Sequence, residues 1–267
     1  MSHARIVESP PFVGNSGFRL GSLLVSLMDA APGQERSFNR WYDRDHFHAG
    51  CMAGPGFFAG RRFLATRELR ALRSADAPPF LDDAQAGAFL ALYFIAAGQH
   101  ESTEAWAVER VNALRGAGRM HPDRRPVHAG FYQQAFAVKR DPDGVPPELA
   151  LDHPFEGVVL ATYEAAREDA TADLEAALVE CLAGAMDGSG VALALGFRPV
   201  PLPDDAPEYV ARPPGLAGRR LVLGLYNGVP RDACDVLASG ASPLGRLSWL
   251  APFRPTIPGT DRFLDAL

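Results

Sequence analysis

The chain has 267 residues, of which 47% are hydrophobic and 22% are charged, and its 26 basic and 32 acidic side chains give a formal net charge of −6. This length allows one large domain or about two ordinary ones, and the composition excludes intrinsic disorder, fibrous repeats and small disulfide-stapled scaffolds. The negative charge offers no general attraction to nucleic acid, and no apolar run approaches the roughly 20 residues that a membrane-spanning helix needs. We therefore expect a small-molecule ligand and neither a nucleic-acid nor a membrane partner, with a homodimer as a further expected assembly.

The cysteines bear on compartment and on metal binding. Cys51, Cys181 and Cys234 are too far apart for a Cys-x-x-Cys metal site, and an odd, sparse number does not indicate a disulfide framework. The N-terminus lacks the apolar core of a secretory signal. These features predict a cytoplasmic protein with reduced thiols.

The first half of the chain follows an N-terminal extension over residues 1–20 and is predicted to span residues 21–140. Within it, strand-like apolar runs alternate with amphipathic segments in the order strand, helix, strand, strand, helix, strand. Ser102 or Thr103 is the candidate N-cap of the second helix. The predicted elements are a strand at 23–27, a helix from about Gln34, strands at Phe57–Leu64 and Phe89–Ala96, a helix from about residue 102 and a strand at 132–139.

The second half is predicted to span residues 157–267, after a linker at 141–156 that is rich in Pro and Asp. It repeats the element order of the first half and ends in a C-terminal tail, so the chain is interpreted as a tandem duplication. The predicted elements are strands at 158–161, 191–197, 221–226 and 247–253, with helices at 168–186 and 232–237.

Several strands, among them Phe89–Ala96, are apolar at consecutive positions, which predicts that both of their faces are buried. Helices can cover one face of a four-stranded sheet, and the other face is covered if the two sheets pack together or close into a barrel. We therefore predict an α+β fold of two tandem βαββαβ units. A doubly wound α/β sheet is the alternative. It is disfavoured because no helix separates the second and third strands and no Gly-rich phosphate turn follows the first.

The helix after the first strand carries the candidate chemistry. At about 100° per residue, a carboxylate at position 45 falls in the middle of an apolar stripe, where it needs a partner or has its pKa raised by desolvation. An imidazole beside it would become more basic, which is how a general acid–base pair is built. In the alternative, the helix ends near Asp45 and these groups fix the following turn. The stripe consists of Phe38, Trp41, Tyr42 and Asp45, with His46 and His48 at its edges.

This stretch also carries a family resemblance. The sequence reads Phe-Asn-x-Trp-Tyr from Phe38, then His46, then Pro-Gly-Phe from Pro55 and Arg-Arg-Phe from Arg61. It resembles the EthD-like group of dimeric α/β-barrel proteins, and a Pro-Gly-Thr-Asp-Arg-Phe stretch at 258–263 adds to the likeness. The resemblance implies two ferredoxin-like modules that form an intramolecular dimeric α/β barrel, with a cleft between each sheet and its helices. The superfamily includes cofactor-free oxygenases, isomerases, cyclases and haem-using branches, so no single reaction follows.

We expect three catalytic residues. His46, which occupies the position of the His in the family pattern, and Asp45 would move a proton α to a carbonyl group, while Tyr42 could donate a hydrogen bond to the carbonyl oxygen. Arg61 and Arg62 lie on opposite faces of their strand, so only one of them can face the helix. The expected substrate-binding residues are Phe38, Trp41, His48, Phe58, Arg61 and Arg62.

No metal or other cofactor is predicted. Asp43, Asp45, His46 and His48 are closely spaced, but neighbouring helical positions diverge by about 100° and cannot converge on one ion. Residues 184–188 match the GxxDG signature of dye-decolorising peroxidases, yet no histidine follows His153 to ligate a haem.

The leading hypothesis is a cofactor-independent lyase, isomerase or cyclase that acts on a small apolar carbonyl or polyketide-like compound. The alternatives are a non-catalytic protein that binds or carries a small molecule, a cofactor-free oxygenase, and a purely structural role for Asp45 and His46.

Overall fold

The computed structural model describes residues 5–6, 18–75, 81–167, 170–204, 216–240 and 244–267. Most of the expected N-terminal extension lies outside these residues, and so do Glu168 and Asp169, at the expected start of the helix in the second half. A short strand, β1 (Arg5–Ile6), precedes the first half.

The first half follows the predicted order and adds one short helix. Phe57–Leu64 and Phe89–Ala96 are strands with the predicted bounds. The described elements are β2 (Leu20–Ala30), α1 (Glu35–Trp41) with a π-helical continuation (Tyr42–Met52), β3 (Phe57–Leu64), α2 (Arg67–Arg70), β4 (Phe89–Ala96), α3 (His100–Gly116) and β5 (Arg124–Lys139).

The second half repeats this order. Its first helix ends at Met186, and Gly188 follows in a left-handed conformation with φ of 67°. No helix among the described residues combines the length and the apolar character needed to cross a membrane. The described elements are β6 (Gly157–Ala165), α4 (Thr171–Met186), β7 (Val191–Pro199), β8 (Arg219–Tyr226), α5 (Pro230–Ala238) and β9 (Gly245–Pro255).

The predicted N-cap of α3 is wrong. The helix begins at His100, before both candidate residues. The hydroxyls of Ser102 and Thr103 instead donate to the backbone carbonyl of Gln99 at 3.1 and 2.6 Å. Serine and threonine hydroxyls can accept from an amide at an N-cap or donate to a preceding carbonyl within a helix. The residue types alone therefore do not distinguish an N-cap from a position inside the helix.

The strands form one antiparallel sheet that closes on itself. Its order is β5-β2-β4-β3-β9-β6-β8-β7, and β7 pairs back with β5, while β1 pairs with β5 outside this ring. The two halves meet along β5–β7 and along a short β3–β9 pairing at Phe63↔Pro255 and Leu64↔Arg254. The predicted α+β fold of two βαββαβ units is confirmed, and the doubly wound alternative is wrong. The module boundaries at 21–140 and 157–267 stay predictions.

Alternation along the strands separates an interior face from a helix face. On β2, Leu23, Val25 and Leu27 belong to the core inside the closed sheet. Leu24 and Met28 face the other way and pack with the core under the helices of the first half. Both faces are thereby covered, as the consecutive apolar positions predict.

The C-terminal tail after β9 packs on the helix of the first half through polar contacts. The Gly259 amide donates to Asp43 Oδ2 at 2.9 Å, and the Asn39 side-chain amide donates to the Thr260 carbonyl at 2.9 Å. Asp43 also forms an ion pair with Arg62 on β3, in which the two side chains are 7% and 4% exposed. One buried carboxylate therefore joins the tail, the helix and the sheet.

We expect Asp43→Ala to lower the free energy of unfolding by about 3 kcal/mol, because it leaves the Arg62 guanidinium buried without its carboxylate. The matched control is Asp265→Ala: Asp265 pairs with Arg36, but its side chain is 87% exposed, so we expect no measurable loss. Urea unfolding followed by circular dichroism measures both variants. Equal losses would contradict the role assigned to the buried pair.

Candidate active site

A cavity of about 150 Å³ lies in the first half between the sheet and the helices that cover it. β2 contributes Leu24, Ser26 and Met28, which are alternate residues on its helix face. Most of the remaining lining residues come from three elements: Tyr42, His46, Gly50 and Cys51 from the π-helical continuation of α1, Ala107, Val108 and Val111 from α3, and residues 126–131 of β5.

The helix along this cavity presents every fourth residue to the interior: Phe38, Tyr42, His46 and Gly50 are all buried. Near its end, the Ala53 amide donates to the His48 carbonyl, five residues earlier, at 2.9 Å. Turns of this π type are wider than α-helical turns. Residues four apart therefore stay in line, and Tyr42, His46 and Gly50 line the cavity together.

The expected position of Asp45 within the apolar stripe is wrong. Its side chain is 32% exposed and forms an ion pair with Arg119, which follows α3. No hydrogen bond joins Asp45 to His46 among the described residues. A wheel drawn at the α-helical angle of about 100° per residue places Asp45 inward, whereas the wider turns rotate it away from the sheet. Asp45 still acts on His46 through its charge, which favours the protonated imidazole.

The His46 imidazole is enclosed by aromatic rings. Trp41 stacks on it at 4.5 Å between ring centroids, and Tyr42 meets it edge-on at 5.1 Å. Gly50 leaves room for the ring, since a Cβ there would lie 2.9 Å from His46 Cε1. The Nδ1 atom is buried and has no hydrogen-bond partner among the described residues.

Electrostatics keep this imidazole neutral. Burial lowers the pKa of His46 to about 4, and the positive charge of Arg124 is the next largest cause. Arg62 and Arg119 act in the same direction, while the Asp45 carboxylate opposes them. At neutral pH the ring is therefore neutral and less basic than a free imidazole, so the expectation of a more basic His46 is wrong.

Tyr42 lies beside His46 and belongs to a buried hydroxyl pair. Tyr93 Oη donates to Tyr42 Oη at 3.1 Å. Burial raises the pKa of Tyr42 to about 12 and that of the neighbouring Cys51 thiol to about 12. The Arg62 guanidinium lies 4.5 Å from the centre of the Tyr42 ring. The Tyr42 hydroxyl and the Cys51 thiol are therefore uncharged at neutral pH.

The two arginines of β3 face opposite ways, as predicted. Arg62 faces the helix and binds the Asp43 carboxylate and the Asn39 carbonyl. Arg61 donates to the carbonyls of Leu151 and His153, at 3.4 and 2.5 Å, in the segment between the two halves. Neither guanidinium lines the cavity.

Other expected substrate-binding residues also lie outside the cavity lining. Phe38 is a fully buried core residue. Trp41 stacks on His46, and its indole donates to the Arg119 carbonyl at 2.8 Å. His48 is exposed. Phe58 packs on the interior face of the closed sheet, because β3 has an irregular register between Phe57 and Ala59. Of the nine expected site residues, Tyr42 and His46 line the cavity.

Several lining residues were missed by the sequence interpretation. Ser26 follows from the alternation of β2, which places it on the same face as Leu24 and Met28. Met120 and Leu202 lie in connecting segments, where no periodicity marks a buried position. Among the described residues, no group of three or more His, Cys, Asp or Glu side chains is arranged to hold a metal ion.

No family model and no curated protein matches the sequence. Among solved structures, a chlorite dismutase-like protein is 12% identical with a TM-score of 0.53, over 93% of this chain and 100% of that one. The chain has the dimeric α/β-barrel fold. An anthrone oxidase-like protein is 10% identical with a TM-score of 0.47, over 89% of this chain and 92% of that one. A monooxygenase-like protein from Lactobacillus acidophilus is 7% identical with a TM-score of 0.43, over 89% and 94%.

The structural similarity, at 12% identity, shows the fold alone and does not indicate the reaction. The narrower resemblance to the EthD-like group stays a prediction. The reaction of this chain therefore depends on the residues that line its cavity.

The lowered pKa of His46 links stability to pH. The unfolded chain binds a proton at this residue near pH 6.5, whereas the folded protein does so only near pH 4. Between these values the unfolded state binds more protons, so the free energy of unfolding falls as the pH falls, by about 3 kcal/mol in all. We expect His46→Gln to remove this part of the loss between pH 7 and pH 4, measured by urea unfolding.

His48→Gln is the matched control, because it removes an exposed imidazole two residues away. His128, whose pKa burial also lowers to about 4, keeps its contribution in every variant. Identical pH dependence in the wild-type protein and His46→Gln would contradict the burial of a neutral His46.

Gly50→Ala tests the close packing of the imidazole. The added methyl group meets the ring at 2.9 Å, so His46 must shift, and we expect a loss of about 1–3 kcal/mol of stability together with a changed His46 ring resonance in the NMR spectrum. The control is Gly184→Ala on α4, where nothing lies within 4 Å and the better helix former stabilises by up to about 1 kcal/mol. An unchanged His46 resonance in Gly50→Ala would contradict this geometry.

Proposed function

We propose that the cavity of the first half binds a small, largely apolar carbonyl compound and that His46 transfers a proton at the carbon next to the carbonyl group. The observation that carries the proposal is a buried, neutral imidazole without a hydrogen-bond partner at Nδ1, placed at the edge of an apolar cavity.

The size and lining of the cavity support an apolar ligand. Aliphatic and aromatic side chains such as Leu24, Val108 and Phe131 form most of its wall. Its volume of about 150 Å³ is similar to that of an engineered apolar cavity that binds benzene. A ligand of one ring fits this description.

The neutral imidazole has a nitrogen lone pair available at neutral pH, and its lowered pKa makes it a weaker base than a free imidazole. A neutral imidazole can take a proton from carbon; the carbon–hydrogen bond breaks, its electron pair forms a carbon–carbon double bond, and the carbonyl π electrons move to oxygen. The imidazolium and the enolate then form together in the same enclosed space, where their mutual attraction is strong. Returning the proton to another carbon gives an isomerase, and loss of a leaving group gives a lyase.

Cyclisation and cofactor-free oxygenation begin from the same carbanion. A lyase, isomerase or cyclase reaction consumes no oxygen, so an oxygen electrode separates these reactions from the oxygenase. Cys51, Cys181 and Cys234 form no disulfide with one another, which supports a cytoplasmic location. The homodimer stays an expectation.

The test uses cyclohexanone and a panel of small cyclic and aryl ketones in D₂O. We expect the wild-type protein to accelerate hydrogen–deuterium exchange next to the carbonyl group, and His46→Gln to retain ketone binding but to lose about 10²-fold or more of the exchange rate. NMR follows both binding and exchange. His48→Gln, the matched control, should exchange at the wild-type rate.

Val111→Phe fills the cavity while leaving His46 in place, and we expect it to abolish both binding and exchange. Binding without accelerated exchange in the wild-type protein would overturn the catalytic role and favour the non-catalytic binding protein. Exchange that is unchanged in His46→Gln would overturn the role of His46.

A further inference from the structure

We infer that the Tyr42 hydroxyl, held in place by Tyr93 and flanked by Ser26, is the hydrogen-bond donor that recognises the carbonyl oxygen of the ligand. Tyr42 is the contact residue and Tyr93 is a positioning residue. The inference rests on the proposed function, which it extends from the base to the group that receives the developing negative charge.

The hydrogen bond between the two tyrosine hydroxyls determines where the Tyr42 proton points. Tyr93 Oη donates its proton to Tyr42 Oη at 3.1 Å. A tyrosine hydroxyl has one proton to donate, so the Tyr42 proton points away from Tyr93. Tyr42 lines the cavity, whereas Tyr93 is fully buried on β4 behind it. Ser26 also hydrogen-bonds Tyr42 and lines the cavity, so the second partner of the Tyr42 hydroxyl lies on the cavity side.

Ser26 supplies a second hydroxyl at the same place. It lies on the helix face of β2, lines the cavity and is 8% exposed. Its hydroxyl hydrogen-bonds Tyr42 and lowers the pKa of that phenol against the effect of burial. A carbonyl oxygen that replaces this contact can accept hydrogen bonds from Tyr42 and Ser26 through its two lone pairs.

The surroundings favour donation over proton transfer. Burial keeps Tyr42 and Tyr93 protonated, and the Arg62 guanidinium on the Tyr42 ring makes the phenol a stronger donor. A hydroxyl that already accepts a hydrogen bond donates more strongly, because the two bonds polarise each other. Donors of this type, fixed before the reaction begins, stabilise the developing enolate oxygen and thereby accelerate proton removal.

Tyr42 and His46 are placed to act on one ligand. Their ring centroids are 5.1 Å apart on the same row of the helix. A ligand whose oxygen binds Tyr42 can therefore place the adjacent carbon beside the imidazole. Cys51 also lines the cavity, but burial raises the pKa of its thiol to about 12, so at neutral pH it is not a competing nucleophile.

The experiment reads the carbonyl group directly. Cyclohexanone labelled with ¹³C at the carbonyl carbon is bound to the protein, and its stretching frequency is measured by infrared difference spectroscopy. We expect a shift to lower frequency relative to the ketone in hexane, with the largest loss of that shift in Tyr42→Phe and smaller losses in Tyr93→Phe and Ser26→Ala. The exchange rate should fall about 10²-fold in Tyr42→Phe and less in Tyr93→Phe.

Tyr226→Phe, which removes a buried hydroxyl in the second half, is the matched control and should keep the wild-type frequency. A wild-type frequency in Tyr42→Phe, with exchange still lost in His46→Gln, overturns this inference and leaves the proposed function standing. A Tyr42-dependent shift without accelerated exchange supports the inference and overturns the catalysis. Absence of ketone binding by the wild-type protein overturns both, and Ser26→Ala decides the matter if Tyr42→Phe does not fold.

Discussion

The strands of this protein carry apolar side chains on both faces, and neither half of the chain can cover both. In the first half, the helices pack on one face of β2 and β4, while residues such as Leu23 and Leu92 on the other face meet the second half inside the closed sheet. The pairing of β7 with β5 closes the ring and leaves no edge between them. Because the described interior is filled by side chains, room for a ligand arises on the other face, under the helices.

The cavity depends on small lining residues and on a helix held at a fixed distance from the sheet. Gly50 and Ala107 face the cavity where larger side chains would fill it. The helix that carries Gly50 is held on the sheet by the buried Asp43–Arg62 pair, and the tail amide of Gly259 binds the same carboxylate. The motif that resembles the EthD-like pattern therefore includes residues that position the helix as well as residues that line the cavity.

Much of the fold was predictable because strand burial and element order leave direct signals in the sequence. Phe57–Leu64 and Phe89–Ala96 have their predicted bounds, since runs of apolar residues end at turns. The site was predictable only in part. His46 and Tyr42 face the cavity, but Asp45 does not, because the helical wheel assumes α-helical turns and nothing in the sequence signals the wider ones. Ion-pair partners such as Arg119 lie far along the chain, where spacing gives no information.

The two halves differ at the position that matters for function. On α4, which occupies the place of α1 in the repeat, Leu174, Leu178 and Leu182 follow one another every fourth residue and are fully buried. These aliphatic side chains fill the space between helix and sheet. In the first half the corresponding row contains Tyr42, His46 and Gly50, two of which are polar and one of which has no side chain. The aliphatic row on α4 therefore stabilises the fold by close packing, whereas the row in the first half borders the cavity. Burying polar groups is costly unless they are hydrogen-bonded, so the polar row contributes less stability than the aliphatic one, which is consistent with its retention for a ligand or a reaction.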